Sequence, residues 1–229
     1  MSKPSAHKKV LLGVGDVIGE GDSFLATSIL PLDEADDAFH KLKKTVRWQK
    51  MYHRCGEVPR LVAVQGAITA DAEPIYRHPA DESPMMQPFD ATVNALRRAA
   101  EETVGHWLNH ALIQYYRSGE DNIGEHSDKT LDIVEGSSIV NFSLGAQRVM
   151  TLRSKKDNRT LNGKELCGLA EQQGTSNEES KSIISSMLFA CPVNSLQGFN
   201  ILNLFSKARI YELLRLSTSI FILTCHATS

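Results

Sequence analysis

The chain has 229 residues, of which 41% are hydrophobic and 23% are charged, with a formal net charge of −2 at neutral pH. This composition excludes global disorder, and it gives no sign of an overall basic surface of the kind that binds nucleic acid without specificity. None of the four cysteines has the C-x-x-C spacing of a zinc or redox site, and no apolar run is long enough for a membrane-spanning helix. We therefore expect a monomer of the nucleus or cytoplasm with no membrane association.

The first third of the chain contains an irregular segment and the signals of two helices. Residues 1–30 are Gly-rich without periodicity, and we predict a flexible leader there. Residues 33–46 have apolar residues at helical spacing, with acids first and bases last, which suits the helix macrodipole. Residues 90–106 form a second predicted helix, with Asp90 as its N-cap and Gly105 near its end.

Short apolar segments separated by turn residues indicate strands around and after the second helix. We predict loops at 56–59 and at the proline-containing segment 71–90. The pattern predicts strands beginning at 47–49 and covering 61–64, 109–116, 123–128, 139–144 and 149–153. A helix followed by closely spaced strands is typical of an α+β domain built on a double-sheet jelly roll.

A histidine and an aspartate flank one residue in the Gly-Glu-His-Ser-Asp sequence at 124–128. Residues i and i+2 of a strand point to the same face, so His126 and Asp128 are expected to face one cavity. This pair supplies two of the three ligands of a 2-His-1-carboxylate iron site. The alternative is an ordinary hydrogen-bonded pair on a strand.

The segment from about residue 46 to 156 resembles the AlkB-like family of Fe(II)- and 2-oxoglutarate-dependent dioxygenases, and it is most similar to the eukaryotic and fungal DNA-repair-type members. The H-x-D block followed by S-L-G-A-x-R is the specific part of this resemblance. The matching stretches are Glu57-Val-Pro-Arg60, Ile75-Tyr76, Pro88-Phe89, Leu112-Ile-Gln-Tyr-Tyr116, Gly119, Ile123-Gly-Glu-His-Ser-Asp128, Gly136-Ser and Ser143-Leu-Gly-Ala-Gln-Arg148.

The resemblance implies a double-stranded β-helix core with flanking N-terminal helices, Fe(II) as cofactor and 2-oxoglutarate as co-substrate. It also implies oxidative demethylation of alkylated bases in DNA or RNA, which requires the base to be reached outside the stack. The implied roles are iron ligands for His126 and Asp128, 2-oxoglutarate contacts for Tyr116 and Gln114, and nucleotide recognition for Arg60 and Tyr76. We expect the Tyr116 hydroxyl to point into the cavity of the H-x-D pair.

The resemblance ends near residue 157, so we assign the dioxygenase domain to 31–157 and a divergent tail to 158–229. The family pattern needs a second histidine and then an arginine downstream of the H-x-D pair. Here His226 is the only later histidine, and Arg209 and Arg215 precede it. Cys191 and Cys225 are other possible donors, although a thiolate is not the family's choice.

Two interpretations of the tail are open: replacement of the last third of the barrel, which we favour, or a genuine diverged solution. On the first, we expect an incomplete core at the C-terminal side, poor order between about 157 and 186, and little or no 2-oxoglutarate turnover. Two other functions are also open. One is an oxygenase acting on a protein or small molecule, and the other is a non-catalytic remnant that binds nucleic acid.

Overall fold

The structure is a computed structural model that describes residues 8–11, 21–53, 56–75, 85–128, 130–146, 149–154, 160–162, 185–193, 199–204 and 218–228. Within these ranges, none of the helices is long and apolar enough to cross a membrane. The helices are α1 (Leu32–Thr45) and α2 (Ala91–Val104). The strands are β1 (Lys8–Leu11), β2 (Phe24–Thr27), β3 (Gln49–His53), β4 (Gly56–Gly66), β5 (Gln87–Pro88), β6 (His110–Tyr116), β7 (Ile123–His126), β8 (Ser138–Gly145), β9 (Val149–Ser154), β10 (Thr160–Asn162), β11 (Ser185–Pro192), β12 (Phe199–Leu204) and β13 (Thr218–Thr224).

The strands form two sheets whose connectivity is that of a double-stranded β-helix. The larger sheet has the order β1-β2-β11-β8-β13-β6-β4-β3, with β5 beside β4, and the smaller sheet has the order β10-β9-β12-β7. The chain alternates between the sheets, because β6 is followed by β7, β8 by β9 and β11 by β12. This alternation confirms the predicted jelly-roll core.

The tail contributes four described strands to the two sheets, including β10, which pairs with β9 at the edge of the smaller sheet. The expectation of an incomplete barrel is therefore corrected. β11 and β13 pair with β8 on its two edges, and β12 lies between β7 and β9 in the smaller sheet. Leu188, Phe189, Ala190 and Cys191 of β11 are all buried, so consecutive residues on both faces of this strand are inaccessible and it shows no apolar–polar alternation for the sequence pattern to indicate. Within the predicted poorly ordered segment 157–186, only 160–162 and 185–186 are among the described residues.

The predicted flexible leader also contains paired strands in its described part. β1 pairs with β2, and β2 pairs with β11 through contacts such as Leu25 with Phe189. Leu25 and Ala26 are fully buried, so this end of the leader belongs to the core. The pairing partner is more than 150 residues away in the chain, and no local pattern reports such a contact.

β4 is longer than predicted, because residues 56–59 continue the strand instead of forming a loop. The register between β3 and β4 shifts between Lys50 and Tyr52, opposite the part of β4 that contains Pro59. A proline cannot donate a ladder hydrogen bond, and a register irregularity is a place where a strand tolerates it. The carbonyl of Pro59 accepts a hydrogen bond from the amide of Asn122 (3.1 Å), which ties β4 to the turn before β7.

Helix α1 begins one residue before the predicted range and ends one residue earlier, at Thr45. It packs on the larger sheet through an apolar stripe, and Phe39 meets Tyr115 of β6 with ring centroids 6.5 Å apart. The buried residues of the stripe recur at helical spacing: Ala35, Ala38, Phe39 and Leu42.

Helix α2 confirms the predicted range and both predicted caps. One carboxylate oxygen of Asp90 accepts hydrogen bonds from the amides of Thr92 (2.8 Å) and Val93 (3.1 Å). Gly105 ends the helix with φ of 80°, a left-handed conformation that glycine adopts without steric cost. The cap satisfies two of the amides that every helix N-terminus leaves without an intrahelical acceptor.

The two faces of β6 point to different environments. Ala111 and Ile113 belong to the main apolar core together with residues of both helices. Gln114 and Tyr116 are also buried, at 2% and 0% exposure, but they lie on the alternate face. The polar face of β6 is therefore turned away from the helices.

A pair of stacked histidines lies at the beginning of β6. The rings of His110 and His226 are 4.2 Å apart at an angle of 29°. His110 Nδ1 lies 3.2 Å from Thr224 Oγ1, and His226 Nδ1 donates to the carbonyl of Ile75 (2.5 Å). Burial lowers the pKa of both rings; the charge of His226 further lowers the pKa of His110, whereas the Ile75 hydrogen bond and the charge of Asp132 act to raise that of His226.

The cap of α2 gives a first prediction. Asp90→Ala is expected to lower the free energy of unfolding by about 1 kcal/mol, because the amides of Thr92 and Val93 lose their acceptor. Urea denaturation measures the change. The matched control is Asp37→Ala on α1, which removes only an exposed ion pair with Lys41 and should cost at most about 0.5 kcal/mol. Equal losses for the two variants would contradict the role of the cap.

The histidine pair gives a second prediction, which concerns pH. The contribution of the two uncharged rings to the free energy of unfolding is fully present above pH 6.5, the pKa of histidine in the unfolded chain. It is lost as the pH falls from there towards the lowered folded-state pKa, because the unfolded chain binds protons that the folded chain excludes. His110→Phe retains an aromatic ring without a titrating group. The slope of unfolding free energy against pH, below pH 6.5, should then decrease by up to about 1.4 kcal/mol per pH unit. Urea denaturation at several pH values measures this slope, and identical slopes in the two proteins would disprove the prediction.

Candidate metal and co-substrate site

His126 and Asp128 converge at the end of β7. His126 is the last residue of the strand, Asp128 lies two residues beyond it, and His126 Nε2 is 3.5 Å from Asp128 Oδ1. The strand is two residues shorter than predicted, so the i, i+2 relation crosses the strand end. The two side chains nevertheless lie on the same side and are partly buried, with 29% and 16% of their surfaces exposed.

The main chain fixes the orientation of the His126 ring. Its Nδ1 donates a hydrogen bond to the carbonyl of Gly124 at 2.8 Å, since a carbonyl can only accept. This contact leaves Nε2 as the nitrogen that faces Asp128. A histidine whose other nitrogen donates to a backbone carbonyl is the usual arrangement of a metal-binding imidazole.

The neighbours of His126 favour the protonated form of its ring. Burial alone lowers the pKa of His126, but the hydrogen bonds to Asp128 and Gly124 and the Asp128 charge outweigh it, and the pKa is raised. The charge of Arg60 acts in the opposite direction. The histidine nitrogen and carboxylate oxygen are donor types that suit Fe(II).

Tyr116 and Gln114 form a buried polar pair on the inner face of β6. The Tyr116 hydroxyl donates to Gln114 Oε1 at 2.6 Å, and both side chains are almost completely inaccessible to solvent. The hydroxyl is directed away from the helix-facing core that contains Ile113. The predicted position of this hydroxyl in the cavity of the His126–Asp128 pair and the predicted contact of both residues with 2-oxoglutarate stay predictions.

Arg60 is a buried residue of β4, with 7% exposure. Its Nη1 donates to the carbonyl of Asn122 at 3.3 Å, so its guanidinium lies near the turn that leads into β7. The family resemblance implied a nucleotide-recognition role for Arg60, and nothing in the sequence indicated its burial. Tyr76, the other predicted nucleotide contact, lies outside the described residues.

A complete iron site is not formed by the residues that the structure describes. In those ranges, no group of three or more His, Cys, Asp or Glu side chains could hold a metal ion. In the register of the smaller sheet, Ile201 of β12 stands opposite His126. The described donors therefore fit two protein positions of an iron centre and leave the third without a ligand.

The proposed alternative donors are engaged elsewhere or remain protonated. His226 is hydrogen-bonded to Ile75 and stacked on His110. Burial raises the pKa of the Cys191 thiol to about 11, and burial also raises that of Cys225. A thiol in this state is a poor metal ligand, because the thiolate is the binding form. Arg209 and Arg215 lie outside the described residues.

The sequence did not indicate the place of His226, which lies beside Ile75 and Asn109. Its backbone amide donates to Asn109 Oδ1 at 2.6 Å, and its carbonyl accepts from Asn109 Nδ2 at 2.8 Å. A reciprocal amide–backbone pair between residues 117 positions apart has no local signature. A His-Asn pair is too common in sequences to indicate such a contact.

Comparison with solved structures gives a neighbour of low similarity. A crystal structure of a Pseudomonas putida prolyl-4-hydroxylase aligns with a TM-score of 0.42 and 12% sequence identity. The alignment covers 90% of this chain and 94% of that chain.

Curated relatives resemble a segment of the chain. DNA oxidative demethylase ALKBH2 of Bos taurus is 27% identical over 150 residues, which are 62% of this chain and 51% of that protein. The ALKBH2 protein of Homo sapiens is 31% identical over 131 residues, or 53% and 48% of the two chains. Alpha-ketoglutarate-dependent dioxygenase alkB homolog 3 of Bos taurus is 29% identical over 135 residues, or 57% and 45%. The chain spans about half the length of these relatives.

A family model covers more of the chain than these relatives do. The model of the 2OG-Fe(II) oxygenase superfamily matches residues 23–183, which is more than half of the sequence. The match includes the H-x-D pair, the Gln114–Tyr116 pair and Arg60, and the AlkB-like resemblance of the segment is confirmed by the curated relatives. The chain belongs to the 2OG-Fe(II) oxygenase superfamily.

Proposed function

We propose that the chain is an AlkB-like dioxygenase domain that uses Fe(II) and 2-oxoglutarate to demethylate alkylated bases in DNA or RNA. The observation that carries the proposal is the His126–Asp128 pair, in which the Gly124 carbonyl holds the ring with Nε2 towards the carboxylate. The curated relatives support the substrate class, because their names describe DNA oxidative demethylases. The proposed place of action is the nucleus or cytoplasm, and the proposed form is a monomer.

The residues would divide the work between metal and co-substrate. His126 Nε2 and Asp128 would hold Fe(II), which supplies oxidative chemistry when bound. The Gln114 side-chain nitrogen would donate to a carboxylate of 2-oxoglutarate, and the Tyr116 hydroxyl would do the same by turning its hydrogen from Gln114 Oε1 to the carboxylate. Both are buried, so water does not compete strongly for these groups. Arg60 would contribute a fixed positive charge on the same side of the barrel.

In the part of the chain that the structure describes, no third ligand accompanies His126 and Asp128, and this sets the expected level of activity. One imidazole and one carboxylate bind Fe(II) weakly, so we propose low metal affinity and little 2-oxoglutarate turnover. In this proposal the site derives from an AlkB-like iron centre. The second candidate function is a non-catalytic module that binds nucleic acid. It is favoured by the pairing of Ile201 with His126, because an isoleucine cannot serve as a metal ligand at that position. No feature of the described residues specifically favours an oxygenase that acts on a protein or small molecule.

Metal binding separates the two functions. Titration of the purified protein with Co(II), followed by absorption, should reveal a weak site, and His126→Ala should abolish it. His40→Ala is the matched control, because this histidine is exposed on α1 and its contacts are with Asp36 and Phe39 of the same helix. No difference between the wild type and His126→Ala would favour the non-catalytic module. Fe(II)-dependent succinate formation that His126→Ala abolishes would show that the low-turnover prediction is wrong and that another part of the chain supplies a ligand.

The register of β12 gives a prediction of gained function. Ile201→His places an imidazole at the position opposite His126, where a third donor could complete the site. We expect Co(II) to bind at least about tenfold more tightly, a gain of about 1.4 kcal/mol. Asn203→His is the control, since that position pairs with Ile123 and not with a proposed ligand. An equal gain from both variants would contradict the assigned geometry.

A further inference from the structure

The short segment that follows β13, Cys225–Thr228, connects parts of the chain that are far apart in sequence. We refer to it as the latch segment. It forms hydrogen bonds with the loop 130–134, with the segment 72–75 and with Asn109, the residue that precedes β6. Among the described residues, these contacts bring together the loop after Asp128 and the chain leading towards Tyr76.

The first contact is with the loop that begins two residues after Asp128. The amide of Val134 donates to the carbonyl of Cys225 at 2.8 Å, and the amide of Ala227 donates to the carbonyl of Asp132 at 2.9 Å. Ile133 and His226 form an antiparallel bridge between these bonds. The loop is thus paired with the latch segment as a short strand would be.

The second contact is with the segment 72–75. The amide of Ile75 donates to the carbonyl of Ala227 at 2.9 Å, and the carbonyl of Ile75 accepts from His226 Nδ1 at 2.5 Å. Pro74 and Thr228 form a further antiparallel bridge. Both backbone groups of Ile75 are therefore bonded to the latch segment.

The third contact anchors the latch segment to the core. The side-chain amide of Asn109 bonds both the amide and the carbonyl of His226. The backbone carbonyl of Asn109 accepts a hydrogen bond from the backbone amide of Ala67 at 2.8 Å, and the backbone amide of Asn109 donates to the carbonyl of Thr224 at 3.0 Å. Asn109 is buried at 8% exposure, so these bonds are shielded from water.

We infer that the latch segment holds the loop 130–134, which follows Asp128, and the segment 72–75 in one arrangement, with His226 as the positioning residue. The inference rests on the proposed function in so far as Asp128 is a metal ligand. His226 uses its amide, its carbonyl and its ring nitrogen at the same time. Of these three hydrogen bonds, only that of the ring to Ile75 depends on the side chain, which also stacks on His110. Its function is then to orient a neighbouring ligand loop and not to bind the metal itself.

A purely structural role predicts a different pattern of effects. If His226 only filled space beside His110, an apolar residue of similar size would serve equally well. If its Nδ1 donor matters, asparagine should replace histidine, because the asparagine amide places a donor near the same position. The variants His226→Leu and His226→Asn therefore separate packing from positioning.

Hydrogen exchange tests the latch directly. The amides of Ile75 and Val134 should exchange at least about tenfold faster in His226→Leu than in the wild type, and at close to the wild-type rate in His226→Asn. The amide of Phe142 in β8 is the internal control and should not change. Unchanged exchange at Ile75 and Val134 in His226→Leu would overturn the inference. If this variant does not fold, Asn109→Ala, which removes both side-chain bonds to His226, takes its place with the same expectations.

Co(II) affinity tests the connection to the site and separates the two proposals. Loss of groups that orient a metal ligand commonly costs about 10- to 100-fold in affinity, so His226→Leu should bind Co(II) at least about tenfold more weakly and His226→Asn nearly as well as the wild type. A wild type without His126-dependent Co(II) binding would refute the proposed function, while the exchange result would still decide the latch. Faster exchange with unchanged Co(II) affinity would show that the latch does not position Asp128 and would overturn that part of the inference.

Discussion

The insertion of β13 between β6 and β8 is the constraint on which the rest of the structure depends. Residues of β13 pair with β6 on one edge and with β8 on the other, so that three strands from distant parts of the chain form the centre of the larger sheet. β6 carries the Gln114–Tyr116 pair, and its continuation leads to β7 and the H-x-D residues. The latch segment follows β13 directly. Without β13, neither the inner polar face nor the latch contacts could have their observed positions.

The site combines well-defined and missing elements of an iron centre. The His126 ring is oriented by a backbone carbonyl, and the polar pair on β6 is fully buried. We propose that these groups belong to a site for Fe(II) and 2-oxoglutarate. The position opposite His126 instead carries an isoleucine, and His226 is held by Ile75 and Asn109. The described barrel therefore retains the framework of an oxygenase with fewer metal donors than the chemistry requires.

The sequence predicted features that depend on neighbouring residues. Both helices were predicted with small errors at their ends, because caps and charge order are local signals. The convergence of His126 and Asp128 also follows from a local relation, because the two residues are separated by a single position. The strands β11, β12 and β13 were not predicted, because they are stabilised by pairing with strands that are distant in sequence: β11 with β8, β12 with β7 and β9, and β13 with β6 and β8. The burial of Arg60 and the engagement of His226 also escaped prediction, because both depend on contacts between residues at least 62 positions apart.

The central place of β13 has a consequence for folding. Thr224 pairs with His110, 114 residues earlier, and such distant pairing is slow because a long loop must close before any contact forms. Until β13 is synthesised and docked, β6 and β8 each present an open apolar edge that can pair with another chain. The protein should therefore be most vulnerable to aggregation during synthesis. The supply of chaperones should then influence the yield of soluble protein more strongly than the stability of the folded state does.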